Sequence, residues 1–332
     1  MTTRTLGRHL MLAVAWGCVA FGGAMMMLYL VPRLQFSRSK LAMAAAFIPY
    51  GIVAWALAAV LFLAFARGRP RGVLALLAAA ALATQLSWAR PYWPREAPQA
   101  SGQAVRVLSL NMLYGNADPA GLSAQVKAAN PDIIVLLEYT GSAQTALAPT
   151  GIFRDYPHTA GFYDPPFDDA MGTTVLSRWP VDEIAQLSTG PGQHLMRVQP
   201  PSGPPIVLAA AHPANMTNGG GTGLWRWEAS VLRRAVEGHL KEPLIVAGDL
   251  NAVQEQPTLR SLLGLGLSDA ASQAGEGWQP TFPAQGYGGV PPMIAIDHVL
   301  VSDRVVARNV RTFRVLGTDH LGLVADLVVK PA

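Results

Sequence analysis

Only one cysteine, Cys18, occurs among 332 residues, and it lies within an apolar run. Beyond it the chain can have neither a disulfide framework nor a thiolate zinc or redox centre. Acidic residues are absent from the first 90 positions, which hold nine Lys and Arg. The other 242 residues carry 16 basic against 21 acidic side chains, a net of −5, so the formal +4 of the whole chain comes from its first part. A domain at −5 lacks the basic excess that grips a nucleic-acid backbone, which disfavours nucleic acid as a partner. Internal repeats and low-complexity tails are missing too.

Long hydrophobic runs, by contrast, crowd the beginning, over about 10–31, 41–66 and 73–89. Roughly 20 apolar residues cross a bilayer core, so the first two runs are ample and the third sits at the short limit. Tyr29, Trp88, Tyr92 and Trp93 stand where interfacial aromatics belong. Arg4 and Arg8 ahead of the first run look like the start of a secretion signal. The run is longer than a usual signal core, however, and no small-x-small site follows, so it reads as a retained span. The expected organisation is an all-α membrane module over 1–93 with three transmembrane helices, a linker over 94–104, and a soluble domain over 105–332. The lipid bilayer is one partner, and no protein partner is implied. The linker has two prolines and small polar residues and reaches at most about 30 Å, which keeps the domain near the bilayer. Orientation by positive charge ties, with Arg4, Arg8, Arg67, Arg69 and Arg71 on one side and Arg33, Arg38, Lys40, Arg90 and Arg95 on the other. The 67–71 turn is the densest cluster, and placing it inside exports the soluble domain.

The soluble part contains five apolar segments that each stop at a polar signature: Leu108-Ser-Leu-Asn111, Ile133-Ile-Val-Leu-Leu-Glu138, Val246-Ala-Gly-Asp249-Leu-Asn251, Ile296-Asp297-His298 and Thr318-Asp319-His320. Apolar runs ending in carboxylate, amide or imidazole describe a sheet whose strand ends present a reaction centre. If Glu138, Asp249, Asp297 and Asp319 converge, their charges require a cation. With oxygen and imidazole donors and no thiolate, Mg²⁺ is expected, with Mn²⁺ as the alternative. Phosphate esters are the natural substrates of such a site. Strands are expected at about 105–111, 133–138, 173–177, 206–211, 244–248, 296–301 and 323–329, and helices at 120–129 and 224–240. In the second helix Leu224, Val231, Leu232, Ala235 and Leu240 keep helical spacing, and the alternation of strands and helices predicts a layered α/β domain.

Over roughly residues 104–330 the chain resembles the endonuclease/exonuclease/phosphatase superfamily, the DNase-I-like group that also holds neutral sphingomyelinases. Asn111, Glu138, the strand at 172–178, His212, Asp249 with Asn251, Asp297, and Asp319 with His320 carry the resemblance in the family's order. Each motif alone is common, whereas the ordered set is specific. The resemblance implies a four-layer α/β/β/α sandwich. It also implies roles: Glu138 and Asp319 as metal ligands, Asp249 orienting or deprotonating the attacking water, and Asn111 and Asn251 positioning water and phosphate. His212 would bond a phosphoryl oxygen, and Asp297 would fix the tautomer of His320. Whether Asp249 or His320 takes the water's proton stays open. His298, next to Asp297 on a strand, points the other way and reads as structural. Asp249 and Asn251 alternate on a strand end and are expected to share a face.

Departures from the family's other branches narrow the substrate. Leu113 stands where abasic endonucleases carry an aspartate, and the tryptophan-rich and cysteine-bearing motifs of inositol-phosphate phosphatases are missing. The three-span arrangement resembles membrane-anchored VanJ-type lipid phosphatases linked to glycopeptide resistance, which implies an extracytoplasmic domain of a multi-pass cell-membrane protein. The implied reaction is hydrolysis of a phosphorylated lipid, undecaprenyl pyrophosphate or a related cell-envelope intermediate. A membrane-anchored nuclease or sphingomyelinase-like phosphodiesterase is the alternative, and a non-catalytic scaffold the third. The glycine-rich stretch leading to Trp225 and Trp227 is expected either to form a lip toward lipid or to pack a helix.

Overall fold

A chain segment with too little polar surface to stay solvated must satisfy its backbone hydrogen bonds internally, and the first part of this protein does so as helices. In the computed structural model, which describes residues 3–162, 172–187, 192–217 and 219–331, the chain divides into two compact units at Pro91/Tyr92. The first unit holds three helices long and apolar enough to cross a membrane, Thr5–Leu30, Ile48–Phe65 and Arg69–Trp88. The second is shorter than the expected 41–66 span. Pro49 has no amide hydrogen to continue a helix, so Ser39–Ala45 ends, a 3₁₀ turn follows at Ile48–Tyr50, and Gly51–Phe65 begins anew. Buried Gln85 meets the break, donating to the Ile48 carbonyl at 3.1 Å.

The second unit starts at Tyr92, earlier than the expected domain start at 105. Its Tyr92 hydroxyl donates to the Glu255 carboxylate at 2.9 Å, and Arg95 Nε donates to the Ser272 carbonyl at 2.9 Å. The first residues of the expected linker are therefore a strip laid on this unit.

Among the described residues twelve strands follow: β1 (Gln103–Asn111), β2 (Ile133–Leu137), β3 (His158–Phe162), β4 (Thr173–Ser177), β5 (Val181–Gln186), β6 (Gln193–Val198), β7 (Ile206–Ala211), β8 (Leu244–Asp249), β9 (Ser268–Asp269), β10 (Asp297–Val301), β11 (Val305–Phe313) and β12 (Gly322–Val329). They pair into two six-stranded sheets, ordered β11-β12-β1-β2-β4-β3 and β5-β6-β7-β8-β10-β9. The β1/β2 and β7/β8 pairs are parallel and the others antiparallel, so both sheets are mixed.

Alternation divides the apolar residues between layers. Val105, Val107, Ile133, Val135, Leu208, Ala210, Ile245, Ala247, Val299 and Val301 meet between the sheets. Leu108, Leu110, Ile134 and Leu136 face outward instead, against Leu122 and Val126 of the helix Pro119–Ala129. Asp118 starts that helix by accepting from the Gly121 amide, and Asn130 ends it in a left-handed cap. The result is the layered α/β domain that the strand and helix pattern predicts, in the α/β/β/α order that the resemblance implies.

The second long helix, Gly221–Glu237, buries Trp225, Ala229, Leu232 and Val236. The expected face over Leu224, Val231 and Ala235 is only half-buried. A tryptophan repeated at helical spacing by Ala229, Leu232 and Val236 outweighs the aliphatic series in buried area. Trp225 is fully buried, and its indole N–H donates to the Asn251 carbonyl at 3.1 Å. This overturns the membrane-lip reading for Trp225, which is a core residue; Trp227, two positions on, is exposed.

Candidate active site

The site grows out of the packing between the sheets. On β1 the inward series Val105, Val107 continues to Asn111; on β8 Ile245, Ala247 continues to Asp249. On β7 the series Leu208, Ala210 continues to His212, just past the strand. On β10 the same series runs backward from Val301 and Val299 to Asp297. Asp297 and Asp249 stand directly opposite each other in the antiparallel β10/β8 register. Four polar side chains thus end the inner layer at one mouth of the sandwich, where strand alternation alone delivers them.

Glu138 does not follow from alternation. The inward series of β2 is Ile133, Val135 and Leu137, so the next residue should face the outer layer. Its φ of 52° breaks the period and turns the carboxylate inward, at a conformational cost of about 1–2 kcal/mol. Glu138 Oε1 accepts from Asn111 Nδ2 at 3.1 Å, and Oε2 accepts from the Tyr114 amide at 2.9 Å. Asn111 Nδ2 also reaches Asp249 Oδ2 at 3.2 Å.

The imidazoles complete the cluster. His212 Nε2 lies 3.8 Å from Glu138 Oε1 and 3.7 Å from Asp249 Oδ2. His320 Nδ1 is 2.9 Å from Asp297 Oδ2, while its Nε2 is 3.8 Å from both Asp249 Oδ2 and Asp319 Oδ1. The structure therefore brings Asn111, Glu138, His212, Asp249, Asp297, Asp319 and His320 to one place. Asn251 is bound differently from expectation. The strand ends at Asp249, and Asn251 sits in a left-handed turn with φ 48°. Its amide N–H is taken by Asp249 Oδ1 at 2.9 Å, and its Nδ2 donates to the Pro213 carbonyl at 2.9 Å. Asn251 thus ties the turn after β8 to the residue after His212, in place of the shared strand face read from alternation.

Charge and burial set the protonation states. Burial alone would drive the His320 ring neutral, but the carboxylates of Asp297, Asp249 and Asp319 outweigh it and push its pKa up to about 10. Asp249 is raised by burial, against the opposing pull of His320 and His212. Asp319 is also raised, by burial first, with Glu138 and Asp297 adding repulsion against His320. Tyr287 is raised by burial and by the charge of the Asp319 carboxylate.

The donors fit a hard divalent cation. Among the described residues Asp319 Oδ1 and Asp297 Oδ1 are buried without a hydrogen-bond partner, which is costly unless a cation or water meets them. Asp249, Asp297 and His320 also each offer a donor atom within 4.8 Å of the others. In that trio the His320 Nδ1 is already engaged by Asp297; beside it, the Glu138 carboxylate adds repulsion to that of Asp319, a second place where a cation would relieve charge.

Sequence reasoning assigned no role to several supporting residues. Thr318 donates from Oγ1 to the Asn111 carbonyl at 2.7 Å and accepts the His320 amide at 3.2 Å, locking the loop of Asp319 and His320 onto β1. Its place in the Thr-Asp-His signature was the available signal. Thr281 Oγ1 accepts the amides of Ile296 and Asp297, both at 3.3 Å. The Phe282 ring lies 5.1 Å from the His320 ring. His298 is structural, as alternation predicts: Nδ1 pairs with Asp269 Oδ2 at 2.8 Å, and Nε2 faces the Ala252 carbonyl at 2.9 Å.

Comparison with known proteins agrees with this geometry. A sequence profile described as the Endonuclease/Exonuclease/phosphatase family matches residues 108–320. No curated protein matches the chain. Among solved structures, an endonuclease/exonuclease/phosphatase from Beutenbergia cavernae is similar at 24% identity and TM-score 0.54, covering 69% of this chain and 72% of that one. A family protein from Bacteroides thetaiotaomicron is similar at 14% identity and TM-score 0.51, with 70% and 100% covered. D. rerio TDP2 complexed with a single-strand DNA product has 18% identity and TM-score 0.51, with 68% and 99% covered. At these identities the likeness is one of fold.

Proposed function

The chain belongs to the endonuclease/exonuclease/phosphatase family, and from that premise we propose that it is a membrane-anchored, metal-dependent phosphoesterase that hydrolyses a lipid-linked phosphate or pyrophosphate. The observation that carries the reading is the convergence of four carboxylates, two imidazoles and Asn111 at the mouth of the inner layer. Such a set has little use except to hold a phosphoryl group against an attacking water.

Glu138 and Asp319 would hold Mg²⁺, or Mn²⁺ in its place, and a cation there neutralises charge on the phosphoryl and leaving oxygens. Asp249 orients the water and accepts its proton, since the ring of His320 is already protonated at neutral pH. His320 Nδ1–H donates to Asp297, which leaves the Nε2–H free for a phosphoryl oxygen. His212 donates to a second oxygen from the end of β7, and Asn111 holds Glu138 and Asp249 in register. Asn251 contributes by fixing the turn beneath Asp249.

Three features support a lipid substrate. Three helices are long and apolar enough to cross a membrane, the catalytic unit begins four residues after the last of them ends, and the catalytic part carries a net of −5. A multi-pass cell-membrane location with the catalytic unit outside the cytoplasm, and undecaprenyl pyrophosphate or a related envelope lipid as substrate, complete the proposal. The full-length protein should release phosphate from isoprenyl pyrophosphate or phosphatidic acid in Mg²⁺, and EDTA should abolish this. Cleavage of sphingomyelin or DNA alone would favour a phosphodiesterase. No release from any of the four would refute the reading. Asp249→Asn should lower turnover about 10²–10⁴-fold with an unchanged circular dichroism spectrum.

A further inference from the structure

Two exposed aromatic side chains flank the carboxylate cluster, one on left-handed backbone and the other set among glycines of positive φ. Leu113 and Tyr114 are both left-handed, with φ of 47° and 53°, and Gly115 continues the run at 74°. Consecutive left-handed non-glycine residues are uncommon and cost energy, so packing and local bonds must hold them. Here the Leu113 amide donates to Asn111 Oδ1 at 3.0 Å and the Tyr114 amide to Glu138 Oε2 at 2.9 Å. A β-carbon on Gly115 would lie 2.2 Å from Thr140 Oγ1. The two amides are spent on the site, and the Tyr114 ring is turned out with 60% of its surface exposed.

The other flank is similar in chemistry. Tyr287 lies in Gly286-Tyr-Gly-Gly289, whose three glycines all have positive φ. Its ring packs edge-on against Phe282 at 5.4 Å, and Phe282 in turn abuts His320 at 5.1 Å. Tyr287 is half exposed, as is Val290, whose amide bonds the Tyr287 carbonyl at 3.2 Å. Leu316, 66% exposed, precedes the Thr318 anchor, and its carbonyl accepts the Asp118 amide. Large apolar side chains left bare beside a buried charged cluster mark a binding surface.

Resting on the phosphoesterase reading, we propose that Tyr114, Tyr287, Val290 and Leu316 form an apolar rim that binds the hydrocarbon chain of the substrate while its phosphate occupies the carboxylate mouth. The rim determines specificity and leaves the reacting atoms alone. It separates long-chain phosphates from water-soluble ones by burying chain carbons against rings that stay solvated when a short ester is bound. Tyr114 and Tyr287 also supply hydroxyls that remain in water while their rings meet the chain.

The test uses the full-length protein in detergent, a double variant Tyr114→Asn with Tyr287→Ser, and the ring-retaining Tyr114→Phe with Tyr287→Phe. Asparagine suits the left-handed backbone at 114. Equilibrium binding of dodecyl phosphonate and of ethyl phosphonate, neither of which can be hydrolysed, is measured in Mg²⁺. The proposal expects the Asn/Ser variant to bind the dodecyl ligand about tenfold or more weakly with ethyl phosphonate unchanged, and the Phe/Phe variant to match wild type. Equal changes for both ligands, or none for either, overturn it. Rim-dependent binding in a protein that hydrolyses no ester would leave the rim standing and sink the phosphoesterase reading. Turnover of long-chain esters that ignores the rim variants would do the reverse.

Discussion

Replacing Asp297 with asparagine tests the electrostatic account of the site most directly. The substitution keeps an oxygen able to accept from His320 Nδ1, now 2.9 Å from Asp297 Oδ2, and removes one charge. The ring stands at about 10 only because Asp297, Asp249 and Asp319 together outweigh burial, and Asp297 is the first of the three in size. Were the ring to fall to its unperturbed value of ~6.5, only about 3% would be charged at pH 8, against nearly all in the wild type. If the imidazolium stabilises the transition state, kcat/KM should drop about thirtyfold at pH 8 and less than about twofold at pH 6. The assay is phosphate release from pH 6 to 9.5 at constant Mg²⁺, together with the His320 ring resonance titrated by NMR. Stability should move in the same sense. A histidine whose folded pKa is raised lends stability that is fully present below the unfolded value and is lost as pH rises through the folded one. The wild type should therefore lose thermal stability between about pH 6.5 and 10, and Asp297→Asn should lose less. A loss of activity equal at every pH would show that Asp297 only orients the ring, and the charge argument would fail.

Glu255 is buried against the Tyr92 hydroxyl, and burial raises its carboxyl to about 7. The neutral form is favoured in the folded state, so its stabilising contribution is complete below the unfolded carboxylate range and disappears as pH rises through 7; Glu255→Gln should flatten this part of the curve of unfolding free energy against pH by up to about 3 kcal/mol. Trp225→Ala removes a buried indole and the bond to the Asn251 carbonyl, and should cost about 3–5 kcal/mol in denaturant unfolding. Long-chain and soluble esters should lose activity alike, since that ring does not face a substrate. Thr318→Val removes the hydroxyl that joins the Asn111 carbonyl to the His320 amide, and should lower kcat with little change in KM. An unaltered kcat would show that the loop of Asp319 and His320 holds its place without that bond.

Much of the fold was legible because its central strands are unbroken apolar runs. The segments around Val107, Val135, Leu208, Val246 and Val299 are buried on both faces and admit no other reading. The outer strands β5 and β11, and β6 next to β5, carried no such signal. β5 alternates poorly and is mostly exposed, β6 buries Gln193 and His194 among aliphatics, and β11 carries two arginines within nine residues. The polar cluster was legible for a related reason, since Asn111, Asp249 and Asp297 follow from counting by twos along apolar strands. What lay outside that count was not. The inward turn of Glu138 and the position of Asn251 depend on left-handed backbone at φ 52° and 48°; propensity does not assign it to a glutamate, and for the asparagine it competes with the strand alternation that places Asn251 on one face with Asp249. The burial of Trp225 depends on a helix face chosen by one large ring over several small side chains. Tyr114 and Tyr287 lie in loops, where no periodicity exists to separate an idle aromatic from a useful one.

Because Asn111, His212, Asp249 and Asp297 are the last steps of the same ladder that fills the interior, deleting a single residue from the strand that leads to each, ahead of it on β1, β7 and β8 and after it on β10, would swing that group to the outside of the protein. Catalysis is thus locked in phase with the hydrophobic interior. The loop bearing Tyr287 has no such phase to keep, so a change of substrate can accumulate there one insertion at a time while the chemistry stays put.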